Sequence, residues 1–235
     1  MLGKHTLSAA LAVCIALTAA LSLLLQGRTQ PARETLAAPR APNTVWVLDA
    51  GHGGEDGGAV AADGTKESEI NLALAERLEA LLALVGEQTR MTRTEDVSLH
   101  SDGAATTRQR KASDLKNRAA LVGQTPNAVL VSVHQNSLPS HRGVHGAQVF
   151  YGAAEGSAAL AGSVQAALNG SVNAGNEKRE KAVNPSIFLM KNVTAPAILL
   201  ECGFLSNGEE AAALKSDAYQ KKLSAVIVSG LLQQG

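Results

Sequence analysis

Aromatic side chains are scarce in this chain, with one tryptophan, two tyrosines and three phenylalanines among 235 residues. Stacking platforms of the kind that read bases or sugar rings therefore cannot dominate a binding site. An excess of one charge is missing as well, since 21 basic residues are matched by 21 acidic ones. That balance excludes the electrostatic grip needed to hold nucleic acid or an acidic surface strongly. Cysteine is limited to Cys14 and Cys202. Cys14 lies inside an apolar N-terminal run, so the folded part holds one thiol and no internal disulfide. No internal repeat is present. The length suits one well-packed domain with an N-terminal addition and is short for two domains.

The addition begins with Lys4 and His5, followed by Leu7 to Leu25 without a charged residue. That stretch is close to the roughly 20 residues a helix needs to span a bilayer. A cleaved secretory signal would have a shorter apolar region and a small-x-small site just after it. Here the run ends Leu23-Leu24-Leu25-Gln26-Gly27-Arg28, and an uncleaved anchor is favoured over a removed signal. Val13 precedes Cys14 where a lipoprotein site wants a small residue, so Cys14 is an apolar filler. Basic residues flank both ends of the run, and the positive-inside rule gives little orientation. The signal-like start favours export of the long C-terminal part, either anchored in the membrane or secreted. The chain thus divides into a signal or anchor (1–27), a Pro-, Ala- and Arg-rich linker without period (28–43), and a folded domain (44–235). Export without disulfides suits a bacterial surface protein.

In the folded part, apolar strands alternate with amphipathic helices. Thr44 to Leu48 is a short β-branched run that stops at Asp49 and a Gly-rich turn. Glu67 to Val85 places apolar residues at helical spacing, and Gly86 ends it. Further strands are expected at Gln88–Arg93, Ala128–Val133, Gly146–Tyr151, Ile187–Met190 and Ala197–Leu200, with helices at Thr106–Val122, Ser157–Val172 and Asp217–Leu232. This alternation predicts a single α/β domain with a twisted, mostly parallel sheet of about six strands and helices on both faces. Two polar loops, Thr94–Ala105 and Asn173–Pro185, are candidate rims of a groove.

Against that frame, four acid and histidine positions stand out: His52, Glu67, His134 and Glu201. His52, His134 and Glu201 lie at or just past the ends of apolar strands, and open α/β sheets bind ligands outside the carboxyl ends of their strands. Two histidines and a carboxylate leave a zinc ion a fourth position for water, and a further glutamate can shuttle protons. Such a set suits metal-dependent hydrolysis. The Gly-rich turn around His52 lacks the Lys-Ser/Thr of a P-loop and the spacing of a dinucleotide fingerprint. Glu67 opens a helix, where a carboxylate also favours the helix dipole. Glu55 and Glu69 compete with it, and spacing alone does not separate the three. Glu201 closes the run Ala-Ile-Leu-Leu, so burial should raise its pKa toward the neutral value a general base needs. Its neighbour Cys202 points to the opposite face of an extended segment and belongs to the core. His5 belongs to the leader, and His100, His141 and His145 lie in polar loops as solvated residues.

Taken together, Asp49-x-Gly51-His52-Gly53-Gly54, Glu67 with Ile70-Asn71-Leu72, Thr92-Arg93-x-x-Asp96, Ser132-Val133-His134-x-Asn136-Ser137 and Glu201-x-Gly203-Phe204-Leu205-Ser206-Asn207 resemble the zinc-dependent N-acetylmuramoyl-L-alanine amidases. The likeness runs in order over nearly all of Thr44 to Gly235. It implies a zinc ion on His52, Glu67 and His134, with Glu201 catalytic. It also implies peptidoglycan as the partner and cleavage of the amide between N-acetylmuramic acid and L-alanine. Arg110-Lys111-x-x-Asp114-Leu115-x-x-Arg118 and Tyr219-Gln220-Lys221-Lys222 look most like the germination-specific branch, which works on spore cortex on the way to muramic lactam. Ala50 stands where the family usually has Pro, and Gln135 where Ala is commoner. The short segment after His134 leaves no room for the blocking helix some relatives insert there. Asn136 and Arg118 are candidate substrate-groove residues. Two rivals remain on the sequence alone: another zinc amidohydrolase such as a carboxypeptidase, and a non-catalytic wall-binding module. The intact ligand set together with a buried base weighs against the second.

Overall fold

The computed structural model describes residues 43–233, and the apolar run and most of the linker lie outside them. Among the described residues no helix is long and apolar enough to cross a membrane. The strands are β1 (Val45–Ala50), β2 (Gln88–Met91), β3 (Ala128–Asn136), β4 (Gln148–Tyr151), β5 (Lys181–Ala182) and β6 (Ala197–Phe204). The helices are α1 (Glu67–Leu84), α2 (Thr107–Gly123), α3 (Ser157–Asn169), α4 (Phe188–Asn192), α5 (Gly208–Lys215) and α6 (Asp217–Leu232).

One six-stranded sheet forms in the order β2-β1-β3-β6-β4-β5. β1 pairs in parallel with β2 and β3, and β3 with β6, while β4 runs antiparallel to β6 and parallel to β5. Alternate strand residues face opposite sides. On one side Leu48, Val131, Val133, Ile198 and Leu200 pack against Leu74 and Leu78 of α1, Leu160 and Val164 of α3, and Leu223 and Ile227 of α6. On the other, Val47, Leu130 and Leu199 pack against Val122 of α2 and Leu189 and Met190 of α4. Both faces are covered, as the alternating pattern requires.

Helix starts follow from local chemistry. The Thr106 side chain accepts from the Gln109 N–H and the Gln109 side chain accepts in return from the Thr106 N–H, a reciprocal cap for α2. α1 has no side-chain cap. Its first N–H groups donate instead to carbonyls of the Gly-rich loop, Glu67 to Ala59 at 2.8 Å and Ser68 to Gly57 at 3.1 Å. The loop after β1 therefore fixes where α1 begins, and with it the position of Glu67.

Three expectations are corrected. Ile187–Met190 is not a strand. Phe188 opens helix α4, whose Leu189 and Met190 pack onto the sheet rather than joining it. Four apolar residues carry no period that separates the two states. β3 and β6 run past Val133 and Leu200, because pairing continues through His134 with Glu201 and Asn136 with Phe204. These two site residues thus lie within strands. Finally, Asn173–Pro185 lines no part of the cleft described below, whose wall starts at Ser186. Asn173 is spent on the residue before β4, accepting from the Ala147 N–H and donating to the Ala147 carbonyl.

Candidate metal centre

The sheet's smaller face changes character toward its carboxyl edge. Val47, Leu130 and Leu199 are followed, two residues on, by Asp49, Ser132 and Glu201, and His134 lies two beyond Ser132. A register shift between β3 and β6 falls between His134 and Asn136, an irregularity of the kind that re-aims side chains beside active sites.

His52, Glu67 and His134 converge there, each offering one ligand atom, all within 4.8 Å of one another. Glu67 Oε1 lies 3.3 Å from His52 Nε2 and 2.9 Å from His134 Nδ1. The Glu67 carboxylate is itself held by backbone: the Ala59 N–H donates to Oε2 at 2.8 Å and the Gln135 N–H to Oε1 at 3.1 Å. Asn71, one turn along α1, donates to Glu67 Oε1 and to the Gly51 carbonyl. Burial would raise the Glu67 pKa, but hydrogen bonds and charge from His134 and His52 override it and hold the carboxyl well below its usual range. The competing carboxylates fall elsewhere, Glu69 exposed and Glu55 paired with Arg110.

Close approach dictates two glycines. A Cβ on Gly51 would fall 2.3 Å from the His134 ring, and one on Gly58 would meet Glu67 Oε2 at 2.5 Å. His52 itself holds φ at 61°, a conformation uncommon for a non-glycine residue and frequent at functional sites. Its orientation is set by Asp56, whose Oδ2 lies 3.0 Å from His52 Nδ1 and leaves Nε2 turned to the cluster. Sequence reasoning missed Asp56, although a carboxylate four residues after a ligand histidine was available as a signal. Orienting partners of this kind fix the ring and its tautomer.

Beneath the cluster lies Arg118, one of the residues lining the cleft described below. It is 2% exposed. Its guanidinium donates to Asp49 and Asp114 and to the carbonyls of Ala50 and His52, which uses all five N–H groups. Arg93 likewise donates to the carbonyls of Ala50, Gly51 and Ser68. Asp49 is clamped by Thr92, Ser132 and Arg118, and Asp96 accepts from the Gly54 N–H. The motif residues Thr92, Arg93, Asp96 and Arg118 thus shape the histidine loop. Asn136 is half-buried and accepts from the Ser137 N–H, and it does not line the cleft.

Glu201 faces the cluster from β6, directly beside His134 in register. Its Oε2 is buried without a hydrogen-bond partner among the described residues. Burial, reinforced by the charge of Glu67 and opposed by His134 and His52, pushes its pKa up to about 7. Cys202 points the other way, buried in the large core, and burial drives its thiol far up. A cleft of about 340 Å³ opens over the site, with His52, His134 and Glu201 on its polar side and Leu115, Ile187 and Phe188 on an apolar wall.

A profile of the N-acetylmuramoyl-L-alanine amidases matches residues 47–233. The chain belongs to that family. As such it is a peptidoglycan hydrolase, and zinc dependence is a property of the family. It is 36% identical over 189 residues to the germination-specific N-acetylmuramoyl-L-alanine amidase of Bacillus subtilis, covering 80% of this chain and 78% of that one. Among solved structures, the CwlD amidase of Clostridioides difficile in complex with the GerS lipoprotein superposes with a TM-score of 0.77 at 35% identity, covering 82% of this chain and 98% of that chain. A further amidase, from Clostridium difficile 630, gives 0.71 at 28% identity over 82% and 96% of the two chains.

Proposed function

We propose that this amidase holds zinc on His52, Glu67 and His134 and cleaves the muramoyl–L-alanine amide with Glu201 as the base, its place of action being the spore cortex. The donor set fits zinc: two imidazoles and one carboxylate, with room left for water. Bound there, zinc supplies Lewis-acid polarisation of water and of the scissile carbonyl. The observation that carries the base is the orphaned Glu201 Oε2, a buried carboxylate oxygen with nothing to accept from until substrate and water arrive. A buried polar atom without a partner costs stability, so its retention here points to use. Glu201 takes the proton of the attacking water and passes it to the departing alanine amine. Asp56 and the loop carbonyls held by Arg93 and Arg118 keep His52 aimed, and the apolar wall of Ile187 and Phe188 excludes bulk water from that side.

The cortex assignment rests on the likeness to the germination-specific relative. Purified vegetative wall and purified cortex are digested with the zinc-loaded chain and the products identified by mass. Release of stem peptides beginning with L-alanine, faster from cortex, is expected, along with loss of zinc in His52→Ala and His134→Ala. Cleavage at a different bond, or full zinc occupancy in both variants, removes the assignment.

A further inference from the structure

Lys111 of α2 stands where two cavities meet. It lines the large cleft together with His52 and Glu201, and a smaller cavity of about 140 Å³ together with Ser98 and Thr107. Its Nζ lies 3.0 Å from Asp56 Oδ2, and its side chain is 56% exposed. An ammonium has three N–H donors. Among the described residues Asp56 is the one partner of this ammonium, so two donors are left for a ligand. The other cation lining the cleft, Arg118, has none to spare.

From this placement we infer that Lys111 is a specificity residue that binds a carboxylate of the stem peptide, on the residue that follows L-alanine. The inference rests on the amidase reading above. In such a substrate the lactyl carboxyl of muramic acid is consumed in the scissile amide, and the N-acetylated sugars are neutral. Free carboxylates therefore lie on the peptide side of the bond. The flexible stem of lysine delivers a point charge and does not demand the bidentate geometry an arginine would. Leu115, one turn along α2 from Lys111, and Ile187 and Phe188 of the neighbouring segment give the cleft an apolar lining that limits screening of that charge by water. Asp56 holds the ammonium at the junction of the two cavities.

Lys111 also touches His52 through Asp56, and a purely positioning role would alter turnover of every substrate alike. The test separates the two. The zinc-loaded full chain is given two soluble muropeptides that differ only in a carboxylate or a carboxamide on the residue after L-alanine. The wild type should prefer the acid by about fivefold to tenfold in kcat/KM, expressed in KM, as suits a charge-assisted hydrogen bond in a half-exposed site. In Lys111→Met that preference should shrink to near unity, and Lys111→Arg should restore part of it. A wild type without preference, or a Lys111→Met variant that keeps it, overturns the inference. So does an equal fall in kcat on both substrates with KM unchanged, which assigns Lys111 to positioning. Failure of the wild type to cleave either muropeptide sinks the amidase reading itself, a result that looks different from the others.

Discussion

The two faces of the central sheet are built by alternate residues of the same three strands, and they part company toward the carboxyl edge. Toward α1, α3 and α6 the strands stay largely apolar, with Leu48 and Ala50, Val131 and Val133, and Ile198, Leu200 and Cys202, until Gln135 near the end of β3 donates to Asn71 of α1. Toward α2 and α4 each strand begins apolar and turns polar, giving Asp49, Ser132, His134 and Glu201. Burying charge and orphaned oxygen is costly. The continuous apolar face offsets that cost, since each buried large side chain contributes roughly 1.5–3 kcal/mol. Stability and chemistry are thus separated by a single step along each strand, which puts Leu200 and Glu201 to opposite uses.

The largest expected effect lies on the polar face. Glu201→Gln keeps size and polarity but cannot accept a proton, so turnover should fall by on the order of 10²–10⁴-fold. Zinc content should be retained and the thermal midpoint should hold or rise, because a buried charge has been removed. Metal analysis, calorimetry and muropeptide release on one preparation decide it. Near wild-type turnover with zinc bound dismisses Glu201 as the base, and loss of zinc makes it a ligand.

Next comes the layer under the site. Arg118→Met leaves Asp49 and Asp114 without their buried partner, and breaking such a pair typically costs about 3–5 kcal/mol. A drop of that size in urea-induced unfolding, accompanied by weaker zinc retention, is expected. An unchanged midpoint would show that the polar face is not held from below.

The smallest effect on activity, despite a real loss of stability, belongs to the apolar face. Leu223→Ala in α6 opens a cavity in the large core and should cost about 2–5 kcal/mol. Zinc content, kcat and KM of the folded protein should stay at wild-type values. A shift in KM or metal affinity would mean that the two faces are coupled, and the separation argued above would fail.

Much of this was legible in the chain because the relevant signals are local. Long periodic stretches such as Glu67–Val85 and Asp217–Leu232 emerge as α1 and α6 with nearly the expected bounds. His52, His134 and Glu201 were marked by polar residues interrupting apolar strands. Glu67 was different. Three carboxylates competed, and what separates them is the pair of backbone N–H groups from Ala59 and Gln135, which only the folded chain brings together. The partners of Arg118 are hidden in the sequence for the same reason. A helical arginine among polar residues looks exposed in sequence, and its carboxylate partner Asp49 lies on another element. α5 was overlooked although Asn207, which caps it by accepting from Glu209 and Glu210, was in plain view.

The strand order sets when, during synthesis, each site residue becomes available. A domain generally folds as a unit, so during synthesis it waits for its last central element. His52, Glu67 and His134 all emerge by the end of β3, whereas Glu201 arrives with β6, the last strand. β6 also enters the middle of the sheet, and β4 and β5 pair with no other part of it. On the roles proposed above, a chain that stops short of β6 has the three candidate metal ligands without the candidate base. Such a chain is expected to lack amidase activity until its final strand is seated.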